Sequence, residues 1–202
     1  MSNYQLEMEK IISVSAPGTP LVLHACCGPC STTALERLCG HFDVSIYFYN
    51  PNIALYSEYA LRLQTLESLL SKMPLPRKPK LACGEWNHDS FLSEVSGLEN
   101  ESEGGARCVE CFRMRFKNTA LHARRKKISL IGTTLSVSPH KNADSLNKIG
   151  MQAAKDYCLT WLPADLKKRG GYLNSIRLSE RYELYRQSYC GCEFSGRTID
   201  AN

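Results

Sequence analysis

At 202 residues, with 43% hydrophobic and 22% charged side chains, the chain has the size and apolar content of one compact domain, which excludes a disordered or fibrous protein. Lys and Arg outnumber Asp and Glu by 25 to 20, a surplus that admits an anionic partner without requiring one. No apolar run reaches membrane-spanning length and no signal-peptide order opens the chain, so a cytoplasmic location is expected, where ten cysteines point to metal or redox chemistry rather than to structural disulfides.

In chain order, residues 1–18 read as a variable leader ending in the turn-rich Ala16-Pro17-Gly18. The remainder, 19–202, reads as a single α/β catalytic domain. Leu21–Ala25 is a short buried strand. Cys26-Cys27-Gly28-Pro29-Cys30-Ser31 follows at once, with a helix expected from about Ser31 to Leu38. Val44–Tyr49 is a second strand, closed by Asn50-Pro51-Asn52, and Tyr56–Leu70 has a helical pattern. A proline-rich stretch, Met73–Pro79, precedes a short helix near Ser90–Ser93. Gly104-Gly105 breaks the chain before a helix over Cys111–Lys126, whose Phe112, Phe116, Ala120 and Ala123 share a face. Ile128–Thr133 is a third strand, Lys141–Lys155 a helix, Cys158–Leu162 a fourth strand and Ser179–Arg186 a last helix before Cys190-Gly191-Cys192. Short strands alternating with longer helices predict a parallel-sheet α/β fold, with its site at the carboxyl ends of the strands.

Seven cysteines fall into three clusters: Cys26, Cys27 and Cys30; Cys108 and Cys111; Cys190 and Cys192. Thiolates are soft ligands for zinc and iron–sulfur centres. Cys108 and Cys111, three positions apart at a helix start, can face one metal, and free N–H groups there favour thiolate charge. One Cys-x-x-Cys pair could equally be a redox dithiol or half a zinc site. Seven clustered thiols exceed the four that one structural zinc needs, so an iron–sulfur centre with something beside it is expected. Cys39 and Cys158 read as small core residues, and Cys83 as a packing residue.

The motifs, taken in order, resemble a known family. His24-Ala25-Cys26-Cys27-Gly28-Pro29-Cys30-Ser31, Tyr49-Asn50-Pro51-Asn52-Ile53 with Glu58-Tyr59 and Arg62, and Arg107-Cys108-x-x-Cys111-Phe112-x-x-Arg115 are similar to signatures of the metal-dependent, cobalamin-independent epoxyqueuosine reductases. So are Thr133-Thr134-Leu135, Ser138-Pro139-His140-Lys141, Gly150, and Ser179-Glu180 followed by Tyr185-Arg186-Gln187-x-Tyr189-Cys190-Gly191-Cys192 and Ser195. The resemblance implies reduction of epoxyqueuosine to queuosine at the wobble position of tRNAs with GUN anticodons, which removes the epoxide oxygen as water and leaves a cyclopentene-diol. It implies a [4Fe-4S] cluster, an additional mononuclear iron and an external low-potential electron donor. It further implies a Rossmann-like three-layer fold resembling the adenine nucleotide alpha-hydrolase group, without that group's phosphate loop.

On this resemblance Cys27, Cys108, Cys111 and Cys190 are assigned to the cluster, and Cys26 and Cys192 to the adjacent iron. Cys30 is left as ligand or as a residue behind the site. His140, Tyr189 and Asp165 are candidate proton donors, in that order, although the family pattern places Tyr where His140 stands. Leu166-Lys167 also departs from the family's Asp-Phe-Arg-Lys stretch after Asp165. His24 is expected as a core histidine or one oriented against a ligand. Arg62, Arg113, Arg115, Lys141, Lys168, Arg177 and Arg186 are candidate phosphate contacts, and Tyr49, Tyr59, Trp161 and Tyr172 candidate supports for an unstacked base. Three alternatives remain: a tRNA sulfur-transfer enzyme, which would need an ATP loop; a non-catalytic zinc-stabilised RNA-binding module; and a cysteine-rich disulfide reductase subunit.

Overall fold

A computed structural model describes residues 3–195. Tyr4–Val14 forms α1, where the sequence offered only a leader. Its Met8 is buried in the main core, and Tyr4 donates a hydrogen bond to Asp144 (2.7 Å), so the helix is docked on the domain. Thr19–Ala25 forms β1. Cys27, in extended conformation, precedes α2, Gly28–Leu38, with Pro29 in its first turn, where a missing N–H costs nothing. Phe42–Phe48 is β2, Tyr56–Lys72 α3, Lys80–Cys83 β3 and His88–Glu94 α4. Ala106–Lys126 is α5, Leu130–Thr133 β4, and Leu135–Val137 a short 3-10 turn. Ala143–Asp156 is α6, Thr160–Trp161 β5 and Gly171–Arg181 α7.

All five strands are parallel, in the order β3-β2-β1-β4-β5. The two-residue period of β1 divides the core. Leu21, Leu23 and Ala25 pack with Leu35 and Leu38 of α2, Leu66 and Leu69 of α3, Leu178 of α7 and Met8 of α1. Val22 points the other way, to Phe112, Phe116 and Ala120 of α5 and Leu146 and Ala153 of α6. Both faces of the sheet are therefore covered by helices, the usual requirement of a parallel sheet. Gly150 allows α6 to lie directly on Trp161, since an added Cβ would fall 2.3 Å from the indole. A third and smaller apolar cluster joins Phe91 and Val95 to Cys111, Met114 and Cys192. Among the described residues no helix is long and apolar enough to cross a membrane.

The alternation of strands and helices matches the sequence reading, with four differences besides α1. β3 was not expected: it is a four-residue edge strand, only partly buried, and carries little hydrophobic signal. The Cys158–Leu162 strand shrinks to two residues because Cys158 adopts a left-handed conformation (φ 54°) in the turn after α6. The last helix is Gly171–Arg181 and not Ser179–Arg186. It starts where Gly171 presses on Leu166, a contact no Cβ would permit, and Glu183 (φ 54°) then turns the chain away. Finally, Cys39 is buried as expected, but Cys83 and Cys158 are exposed and pack no core.

Candidate metal centre and active-site cavity

β1 ends at Ala25, so Cys26 emerges at the carboxyl end of the central strand. The adjacent β4 ends at Thr133, and the Thr134 N–H bonds back to the His24 carbonyl (2.9 Å) while the Cys26 N–H donates to Thr134 Oγ1 (3.4 Å). Successive connections leave β1 towards β2 on one side and β4 lies on the other, which makes this crevice the reversal point of the sheet, where ligands of such folds bind. A cavity of about 510 Å³ opens there. Its lining includes Cys26, Cys30, Asn50, Asn52, Lys141 and Cys190.

The sulfurs of Cys26, Cys27 and Cys30 all lie within 4.8 Å of one another, a group able to hold a metal ion. Cys26 Sγ and Cys27 Sγ are 3.6 Å apart. Cys27 stands at the start of α2 and Cys30 one turn on, so the helix itself brings the two together. Within the trio the thiols of Cys26 and Cys30 point hydrogen bonds at Cys27, which holds Cys27 well below the ordinary thiol range. Cys26 is pushed up to about 11, first by its bond to Cys27, and Cys30 is raised by its bonds to both partners. One thiolate shared among three sulfurs is a suitable starting point for a metal, which would draw off the remaining protons.

The other four clustered cysteines come from α5 and the C-terminal segment. Cys108 lies in the first turn of α5 and accepts from the Gly104 N–H (3.2 Å). Burial raises Cys111 to about 11 and Cys192 to about 12, and each is also raised by the neighbouring Cys190. Polar clamps hold this C-terminal segment in place. Arg62 is 3% exposed. It pairs with Glu58 (2.6 Å) and donates to the carbonyls of Cys190 (2.9 Å) and Tyr189 (3.3 Å). Arg107, also buried, donates to the carbonyls of Leu98, Glu99, Glu101 and Phe194. The Ala54 N–H donates to the Gly191 carbonyl (3.0 Å). Gly191 has φ 93° and lies against the Arg62 guanidinium, a fit that favours glycine twice over.

Several predicted site residues converge on the cavity: Cys26, Cys190, His140, Tyr189, Lys141 and Arg186 line it together. Lys141 Nζ lies 3.8 Å from Cys190 Sγ and 2.9 Å from Glu103. Burial alone would lower its pKa, but Cys190 and Glu103 outweigh that and keep it charged. Arg186 is exposed and donates to Ser179 Oγ (3.1 Å).

Other expectations require correction. Asp165 is held by Lys167 (2.6 Å) and, with Lys168, borders a separate cavity beside α1, so it is not placed to protonate anything in the first. Arg62 and Arg115 also border the cavity but are buried, with their guanidinia engaged by the protein's own groups. Arg115 donates to Asn50 Oδ1 (2.5 Å) and lies 3.3 Å from His24 Nε2 and 4.0 Å from Cys111 Sγ. Arg113 and Arg177 are exposed away from the cavity lining, bonded to Glu110 and Asn174. Tyr49, Tyr59 and Trp161 are core residues, and only Tyr172 of the four aromatics borders the cavity. His24 is fully buried between Thr133 Oγ1 (3.0 Å) and the Tyr49 carbonyl (3.1 Å). Burial, with Arg115 beside it, pushes its pKa down to about 3, so it serves as a neutral strut.

The sequence reading gave no role to Glu58, Asn50, Asn52, Thr134 and Gln187. Glu58 accepts from Arg62 and from the Tyr185 hydroxyl (3.1 Å). Asn50 donates to the Ala25 carbonyl (3.0 Å), tying the loop after β2 to the base of the cysteine loop. The available signal was position: Asn50 and Asn52 directly follow a parallel strand at its carboxyl end.

Comparison with known proteins agrees with this geometry. Residues 21–198 match the family model described as epoxyqueuosine reductase QueH. The chain is 37% identical to epoxyqueuosine reductase QueH of Staphylococcus epidermidis, over 96% of this chain and 84% of that one. It is 34% identical to the protein of the same name from Streptococcus pyogenes serotype M1 (95% and 76% covered) and 32% identical to that of Thermotoga maritima (88% and 90% covered).

Proposed function

Because the chain belongs to the epoxyqueuosine reductase QueH family, and is an oxidoreductase of that kind, we propose that its reaction takes place in the cavity between β1 and β4. The single observation that carries this reading is the cysteine trio at the carboxyl end of the central strand, with sulfurs within 4.8 Å of one another. The β3-β2-β1-β4-β5 order supports a Rossmann-like three-layer fold of the adenine nucleotide alpha-hydrolase kind. The thiol-rich donor set suits a [4Fe-4S] cluster with an adjacent iron. Cys27, Cys108, Cys111 and Cys190 would hold the cluster, and Cys26 and Cys192 the iron. Cys30, left open in the sequence between ligand and residue behind the site, joins the candidate ligands because its sulfur lies within the trio. When bound, such a group supplies single electrons and a Lewis acid for an epoxide oxygen.

The chain's own residues supply the rest. Tyr189 is a candidate proton donor because it lies on the cavity wall; burial and Glu58 beside it raise its pKa, which keeps the O–H protonated but makes it a weaker acid. His140, first in the order read from the sequence, is the other candidate, on the exposed rim. Lys141 and Arg186 offer positive charge to the phosphates around a wobble nucleotide of a GUN-anticodon tRNA, and Tyr172 a ring for the extruded base. Electrons come from an external low-potential donor, and the reaction belongs in the cytoplasm with the tRNA pool.

The test is direct. The protein, purified without oxygen, is incubated with tRNA carrying epoxyqueuosine and a low-potential reductant, and the digested nucleosides are read by mass spectrometry. Loss of one oxygen from the modified nucleoside is expected. No conversion by an iron- and sulfide-loaded sample would contradict the reading and favour a sulfur-transfer enzyme or a zinc-stabilised RNA-binding module.

A further inference from the structure

Five buried side-chain polar atoms among the described residues have no hydrogen-bond partner. Three of them, Asn52 Oδ1, Gln187 Oε1 and Ser195 Oγ, belong to residues that line the cavity. Native proteins leave few such groups, because each costs about 1–3 kcal/mol. Their concentration around one cavity points to a ligand that satisfies them.

The orphans also report the polarity of that ligand. Amide oxygens only accept hydrogen bonds, so their partner must carry O–H or N–H groups. A phosphate cannot serve, and neither can an epoxide oxygen, since both are acceptors. The surroundings place both residues at the cavity wall. Gln187 reaches the neighbourhood of Cys27, whose thiolate it helps to favour, and borders the cavity. Asn52 is 2% exposed, on a loop pinned on both sides: His88 bonds to the Pro51 carbonyl (2.8 Å) and Trp86 Nε1–H donates to the Ile53 carbonyl (2.9 Å). The cations Lys141 and Arg186 border the same cavity, so its lining offers both a place for phosphates and separate acceptors for hydroxyls.

We propose that Asn52 and Gln187 are substrate-binding residues whose amide oxygens accept hydrogen bonds from the two hydroxyl groups of the substrate's five-membered ring, the pair that remains as the diol after reduction. This rests on the reductase reading above and adds the ring-recognition element to it. The acceptors select a hydroxylated ring and orient it so that its third oxygen, the one removed, faces the cysteine trio.

The experiment uses the metal-loaded full chain, with Asn52→Leu and Gln187→Met as near-isosteric changes that delete only the amide groups. Each lost acceptor is expected to raise KM for the tRNA about three- to tenfold with little change in kcat, as for a bond made equally in ground and transition states. Because Asn52 Oδ1 bonds to nothing in the free protein, Asn52→Leu should leave the melting temperature unchanged or raised. Iron and sulfide content are measured for Gln187→Met, since Gln187 lies in the neighbourhood of Cys27, and Asn52→Leu carries the decisive arm. A substrate with its ring hydroxyls methylated should lose affinity for the wild type, lose less for Asn52→Leu, and lose no further affinity for the double variant Asn52→Leu with Gln187→Met. An unchanged KM in Asn52→Leu, or a marked fall in its melting temperature, would overturn the proposal while leaving the reductase reading intact. Inactivity of the metal-loaded wild type on the same tRNA would overturn both.

Discussion

Cys27→Ser is expected to lower turnover by about 10³-fold or more, because losing the metal-based electrophile removes several kcal/mol of transition-state stabilisation. The same preparation should fall well short of the wild type in iron and sulfide. Cys27 is the sulfur on which the hydrogen bonds of Cys26 and Cys30 converge, and it is held below the ordinary thiol range even without a metal. It is also fully buried, at the start of α2, so the serine is well accommodated and the fold should persist. Circular dichroism and thermal melting of the metal-free variant check that point. Cys30→Ser separates the two views of Cys30: a ligand would reproduce the loss of iron, whereas a residue behind the site would leave iron content near the wild-type value. Unchanged iron and turnover in Cys27→Ser would remove the trio from the metal centre.

Arg62→Met is expected to destabilise the protein by about 3–5 kcal/mol, the usual consequence of removing one partner of a buried ion pair. Glu58 and Arg62 have side chains only 9% and 4% exposed, so neither charge is relieved by water. Arg62 also donates to the carbonyls of Cys190 and Tyr189, which makes it a positioning residue for the C-terminal cysteine motif. These two roles respond differently to a second change. The double variant Glu58→Gln with Arg62→Met removes both charges, so much of the lost stability should return. The carbonyl clamp stays broken, so kcat should remain depressed by about 10–100-fold, the range seen when residues supporting a metal ligand are lost. Denaturant midpoints at unchanged m-value report the first effect, and saturating turnover the second. Full recovery of kcat in the double variant would show that Arg62 acts only through stability.

The parts of the fold visible in the sequence were those with strong local patterns. The buried run at Leu21–Ala25, the helical face of Phe112, Phe116 and Ala120, and the position of Cys26 directly after a strand located the site before any coordinates. What was hidden depended on tertiary context. Arg62 and Arg115 look like any other basic residues in sequence, and only the packing shows their guanidinia buried against backbone carbonyls, Asn50 and a cysteine sulfur. Asp165 sits close to basic residues in sequence, yet the turn after β5 carries it to another cavity. The placement of α7 depended on Gly170 and Gly171, which open the helix well before the expected start at Ser179. Cys30 was legible in principle, since three residues on a helix place its sulfur beside Cys27. The ring acceptors were not: Asn52 and Gln187 lie 135 positions apart, and their unpartnered oxygens exist only once the chain is folded.

The claim at the centre of this account is that reduction depends on a metal held by the cysteines of this cavity. The most direct measurement is conversion of epoxyqueuosine in tRNA, followed anaerobically on a single preparation reconstituted to increasing iron and sulfide content. The account predicts no conversion by the iron-free chain, a rise in rate with iron per chain, and no rise when zinc is supplied instead. Conversion by iron-free protein, or a rate indifferent to iron content, would contradict it.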